Sequence, residues 1–188
     1  MIKDIILAPF LILIQPKTNW EKLKSLDINK FGLIIYYFST SIVITLFTTL
    51  LAVWGRPLWG VGSALHSFLF VSELTLIMIL TDLALFLSLN IILKVFDIKP
   101  EEIDIMKLVC FSKMPFLISK LINVFFSLGS FVFVPFLYNL VLILFGVKVL
   151  WELTSKDSFL VSVSCYAIYL TSYIPLTFFL KWLLLTTI

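Results

Sequence analysis

Apolar residues along this chain come in long blocks separated by short charged segments, rather than alternating or recurring as a single helical stripe. A helix needs roughly 20 apolar residues to cross a bilayer. Five blocks meet that length, at about 32–54, 74–93, 105–126, 131–150 and 158–180. The first is the cleanest, because no charge falls between Lys30 and Arg56. Ahead of it, Ile5 to Ile14 is too short to span and is interrupted by Pro9. Thr18-Asn19-Trp20-Glu21 has the form of a capping box and predicts a short helix starting near Asn19. Trp20, Leu23 and Leu26 fall on one side of that helix, and Lys22, Lys24 and Ser25 on the other. This is the pattern of a helix lying at headgroup level, its lysines facing anionic lipid or an acidic partner.

The pattern therefore predicts an all-α, polytopic membrane protein. Residues 1–30 form a cytoplasmic or interfacial segment with an amphipathic helix, and residues 31–188 form a bundle of five transmembrane helices. Composition agrees: 61% of the residues are hydrophobic and 13% charged, against about 45–50% and about 25% in soluble domains. The mean hydropathy is +1.13. The net charge of +3 resides mostly in segments flanking apolar blocks, which argues for topology and against nucleic-acid binding. Cys110 and Cys165 lie inside apolar blocks at no redox or metal spacing and read as small buried hydrophobes. A signal peptide is disfavoured, since Pro16-Lys17 follows the first run with no small-residue cleavage pattern.

Several blocks carry groups that hydrocarbon excludes. Asp82 falls halfway along the second span, where an ionisable group costs at least ~2.5 kcal/mol and is expected to face a partner, a cavity or the bundle interior. The third span holds Lys107 near its inner end, Lys113 well inside, Pro115 as a kink, and Lys120 toward the outer side. Spans two and three form an antiparallel hairpin, so counting outward from their connection puts Asp82 and Lys113 at similar depth. They are the candidate intramembrane pair, either structural or part of a transport route. Glu73 and Lys120 match in depth too, but Glu73 lies nine residues before Asp82, about 180° round the helix. Snorkelling to the outer interface is the simpler expectation for both. Ser41, Thr45 and Thr48 share one face of the first span as packing hydroxyls. Asn139 sits inside the fourth span. On the fifth, capped by Asp157 or Ser158, a stripe of Ser162, Tyr166, Tyr169 and Tyr173 reads first as packing.

Five spans put the termini on opposite sides, and the basic residues choose the orientation. Lys3, Lys17, Lys22, Lys24, Lys30, Lys94, Lys99, Lys107, Lys148 and Lys156 fall with the N-terminus, against Arg56 and Lys181 opposite. The N-terminus is expected in the cytoplasm. With that layout the chain resembles the Yip family, five-span Ypt/Rab-interacting membrane proteins, in its prokaryotic branch. The resemblance rests on Pro16-Lys17-Thr18-Asn19-Trp20-Glu21, on Phe111-Ser112-Lys113-Met114-Pro115-Phe116-Leu117, and on Tyr138 through Gly146. It implies an all-helical bundle of a bacterial inner membrane with no enzymatic role. The long polar N-terminal region of eukaryotic members is not found here, which argues against a GTPase partner.

Chemistry points the same way. There is one histidine, no His/Cys ligand spacing, no nucleophile elbow and no phosphate-cradling glycine loop, so no catalytic, cofactor or metal site is expected. Two function classes remain. One is a membrane-organising adaptor whose partners are the bilayer, anionic lipid and an unidentified membrane or cytoplasmic protein. The other is a small transporter or channel with a polar interior gated by Asp82 and Lys113. A homo-oligomer stays open: small residues are present in the spans, but none carries a clear Gly-x-x-x-Gly face.

Overall fold

A computed structural model describes residues 11–54, 61–126 and 133–187, and every regular element among them is helical. Residues 11–14 are helical and lead into seven helices. These are α1 (Pro16–Ser25), α2 (Lys30–Trp54), α3 (Val61–Val95), α4 (Glu102–Ser112), α5 (Met114–Phe126), α6 (Phe133–Leu150) and α7 (Ser155–Thr187). Of the expected run from Ile5 to Ile14, residues 5–10 fall outside the described residues. So do the segment from Gly55 to Gly60 and the turn at Ser127-Leu128-Gly129-Ser130. The side chains of Thr45, His66, Glu73 and Lys120 fall outside them as well.

Helices α2 and α6 coincide closely with the first and fourth expected spans. Three local expectations are corrected. The capping box at Thr18 does not form: Gln15 is the N-cap, without a side-chain cap bond, and Pro16 takes the first helical position. Proline's fixed φ and missing N–H suit that position, so the helix starts earlier and Asn19 falls inside it. Asn19 Nδ2 instead donates to the carbonyls of Leu11 and Gln15, each at 2.9 Å, clasping residues 11–14 onto α1. At α7 the cap is Thr154. Its Oγ1 accepts the Asp157 N–H at 3.2 Å, as an N-cap hydroxyl does, and donates to Asp157 Oδ2 at 2.7 Å.

The third correction matters most: the expected span at 105–126 is two helices, α4 and α5, broken at Lys113. Pro115 has no N–H to continue the ladder, and the Phe116 and Leu117 N–H groups both turn to the Lys113 carbonyl, at 3.0 and 3.3 Å. The Ser112 carbonyl is thereby released from the helix. Asn139 Nδ2 of α6 donates to it at 2.7 Å, which is why a full break is tolerated in the interior.

In the bundle α3 lies along α7, α1 packs on α6, and α6 packs on α7, α4 and α5. Helix α2 packs on α3 and on the broken pair. The apolar face of α1 is turned into this core: Trp20 and Leu23 are buried, whereas Lys22 is exposed and Lys24 half-buried. The close approach depends on Gly146, where a Cβ would fall 2.2 Å from Leu108 Cδ1 and 3.0 Å from two ring carbons of Trp20. The C-terminal end of α1 is held by Lys107. Its Nζ donates to the carbonyls of Lys24 and Leu26, at 3.5 and 3.1 Å, satisfying oxygens that a helix end leaves orphaned.

By length and composition, two described helices are apolar enough to cross a membrane: Lys30–Thr48 of α2 and Ser155–Leu176 of α7. Val134–Leu150 is a shorter apolar helix.

Candidate functional site

Polar side chains of α2 and α3 meet a lysine at the break between α4 and α5. Tyr37 and Ser41 are four residues apart on α2, so they share a face one turn apart. Asp82 projects from the middle of α3, and Lys113 occupies the joint between α4 and α5. All but Tyr37 are buried, Lys113 at 2% exposure and Asp82 at 6%. The Lys113 Nζ donates to Ser41 Oγ at 2.9 Å and stands 3.0 Å from the centre of the Tyr37 ring. The Tyr37 hydroxyl donates to Asp82 Oδ2 at 2.6 Å. One tyrosine therefore serves both charges, its π face toward the ammonium and its O–H toward the carboxylate.

The break positions this lysine. The Tyr36 ring packs tilted against Phe111 at 5.4 Å and its hydroxyl lies 4.0 Å from Met114 Sδ, so α2 grips the chain on both sides of Lys113. Asn139 holds the Ser112 carbonyl from the other side. Ser112 Oγ and Asn139 Oδ1 are buried with no hydrogen-bond partner among the described residues.

Asp82 and Lys113, matched in depth by counting, are brought together through Tyr37. The tyrosine stripe of α7 lies against an aromatic cluster. Tyr166 and Tyr169 stack at 5.7 Å, Tyr169 and Tyr173 at 6.3 Å, and Phe136 meets Tyr173 edge-on at 5.5 Å. The Tyr166 hydroxyl donates to the Phe136 carbonyl. Sequence reasoning missed Tyr37. The signal available was its position one turn before Ser41, which puts a phenol and a hydroxyl on the face that meets α3 and the α4–α5 joint.

The basic end of the molecule is different in kind. Lys30 pairs with Glu102, and Lys24 with Glu152 at 2.5 Å, both at the surface. The lysine bond, with the lysine's charge, holds each glutamate below the usual carboxylate range. Asp104, 3.8 Å from Lys107, moves the opposite way, because burial pushes its carboxyl up more than the lysine pulls it down.

No family model matches the chain, and neither a curated protein nor a solved structure matches it.

Proposed function

We propose that the chain is a non-enzymatic, five-span protein of the cytoplasmic membrane that organises the bilayer or recruits a partner, its N-terminus in the cytoplasm and its C-terminus opposite. The observation that carries the membrane reading is an exterior rich in large apolar side chains around an interior that holds ionisable groups. Asp82, Lys113, Asn139 and Ser162 are inside, while Phe31, Val43, Leu50, Ile91, Leu137 and Phe178 are each more than half exposed outside. Only 18% of the α2 window and 28% of the α7 window is buried. In water such a surface would form a continuous apolar patch; in lipid it is the surface expected.

The adaptor reading is supported by how the interior charges are used. Lys113, Tyr37, Ser41 and Asp82 join α2, α3 and the broken α4–α5 pair through contacts that a packed structure needs. The resemblance to the Yip family adds a second support, because its three stretches meet one another. Trp20 packs at Gly146, Asn139 holds the Ser112 carbonyl, and the Tyr138 hydroxyl donates to the Leu13 carbonyl beside α1. They form one packing unit joining the N-terminal helix to the bundle.

One observation favours transport instead: a helix interrupted inside the bundle, with a lysine at the break and an aspartate nearby, is how many transporters build a midplane site. Ion and proton flux in sealed liposomes separates the two, comparing wild type with Asp82→Asn and Lys113→Met at matched folded fraction. The adaptor reading expects no flux and two less stable variants. Flux in wild type that disappears in folded Asp82→Asn would overturn it in favour of a conduction path.

A further inference from the structure

A groove of about 470 Å³ opens between α1 and the end of α6. It is lined by Lys17, Glu21 and Lys24 from α1, by Phe145, Lys148 and Val149 from α6, and by Glu152 and Leu153 beyond it. We propose that this groove binds the headgroup of an anionic phospholipid, its phosphate held by Lys17 and Lys148 and its first acyl carbons resting on Phe145, Val149 and Leu153. The inference rests on the membrane reading above and adds a place and a ligand class to it.

Charge is the first argument. Lys24 is already paired with Glu152, and among the described residues Lys148 donates only to the neutral Ser155 Oγ at 2.7 Å. Among the described residues no ion pair ties Lys17 or Lys148. Two ammonium groups from different helices, tied by no ion pair, thus face one space, where each is worth about a fivefold gain for an anionic lipid surface. Position is the second. The apolar window of α7 begins at Ser155, the residue bonded to Lys148, so the groove sits at the level where a span leaves hydrocarbon for headgroups. The lining is the third: a free phosphate would use the lysines and leave Phe145, Val149 and Leu153 unused, whereas a phospholipid uses both. Glu152 itself is held at φ 54°, a left-handed backbone that glycine adopts more cheaply. The position keeps a carboxylate at some conformational cost, and that carboxylate occupies Lys24.

The test measures phosphatidylglycerol retained by native mass spectrometry after extraction from phosphatidylcholine nanodiscs doped with phosphatidylglycerol. Wild type should retain phosphatidylglycerol over phosphatidylcholine, and Lys17→Gln with Lys148→Gln should lower that retention roughly tenfold or more. Lys94→Gln with Lys99→Gln, basic positions at the same end but outside the groove, should leave it unchanged. Glu21→Gln should raise retention by removing an opposing charge, a gain that a misfolded variant could not produce. Equal losses from both lysine pairs would overturn the proposal in favour of diffuse attraction. Displacement by millimolar inorganic phosphate would overturn it in favour of a soluble-anion site. A protein that stays inserted but retains no phosphatidylglycerol would refute the groove alone, whereas release from vesicles by alkaline carbonate would refute the membrane reading.

Discussion

Lysine does two kinds of work in this molecule, and the contrast between its basic end and its interior shows what burial changes. Lys30, with a side chain 58% exposed, meets Glu102 in water, where such a pair contributes little. Lys113, at 2% exposure, meets Ser41, the Tyr37 ring and, through the Tyr37 hydroxyl, Asp82. Out of water a charge has no substitute partner, so each contact around Lys113 is needed by the others. The surface pairs tune the edge of the fold; the buried chain decides whether three helices meet.

The largest effect that would break this contrast is therefore at the buried chain. Lys113→Met should lower unfolding free energy by ~3–5 kcal/mol, the cost of leaving one member of a buried charged set uncompensated. Asp82→Asn should cost less, because asparagine still accepts from Tyr37. The double variant should be more stable than the sum of the two predicts, since each single change strands the other charge. Denaturant titration in mild micelles, scored as a double-mutant cycle, reads this directly. Additive losses would mean that Tyr37 insulates the two charges instead of coupling them.

A smaller effect is expected where α1 docks. Gly146→Ala places a methyl 2.2 Å from Leu108 Cδ1 and 3.0 Å from the Trp20 ring, so one of them must move. Overpacking of this kind costs about 1–3 kcal/mol. The damage should fall on α1 first, because the ring displaced is that of Trp20, its largest buried side chain, while the Lys107 ammonium and the Lys24–Glu152 pair hold only its C-terminal end. Hydrogen exchange would show α1 amides opening while those of α3 and α7 keep their protection. Uniform loss of protection would mean that α1 is integral to the core.

Much of the architecture could be read from the sequence, and the misses share a cause. Block length was enough to place α2 and α6, and counting residues outward from the polar connection singled out Asp82 and Lys113, which both touch Tyr37. Where a partner from another helix decides the outcome, one-dimensional patterns ran out. Pro115 announces a disturbance, but whether it kinks or breaks the helix depends on Asn139 reaching the freed Ser112 carbonyl. Trp20 looks like an interfacial residue until Gly146 gives it a place in the core. Tyr37 is one aromatic among many in an apolar block, and only the approach of α3 and the break gives it two charges to serve. Helix starts were misplaced for a local reason: Pro16 and Thr154 outcompete the hydroxyls at positions 18 and 158.

The finest test compares two acids at the start of one helix. Glu102 is held below its usual range by the Lys30 bond, so its folded form releases a proton more readily than its unfolded form. Its contribution is fully present above the unfolded carboxylate value and is lost as pH falls through the lower, folded one. Glu152, bonded to Lys24, follows the same rule. Asp104 is raised, chiefly by burial, so the sign reverses. The folded state binds its proton more tightly, and the stability this brings is present below the unfolded value and lost as pH rises through the folded one. On acidification from neutrality, Asp104 should take up its proton first and slightly favour the fold; the two glutamates should then release their lysines and disfavour it. Thermal unfolding across that range should show a shallow maximum on the acid side of neutrality. Asp104→Asn should erase the rise, and Glu102→Gln should flatten the fall, without either altering the cost of Lys113→Met. A maximum that survives Asp104→Asn would assign the rise to another group, and the burial of Asp104 would then have no thermodynamic consequence.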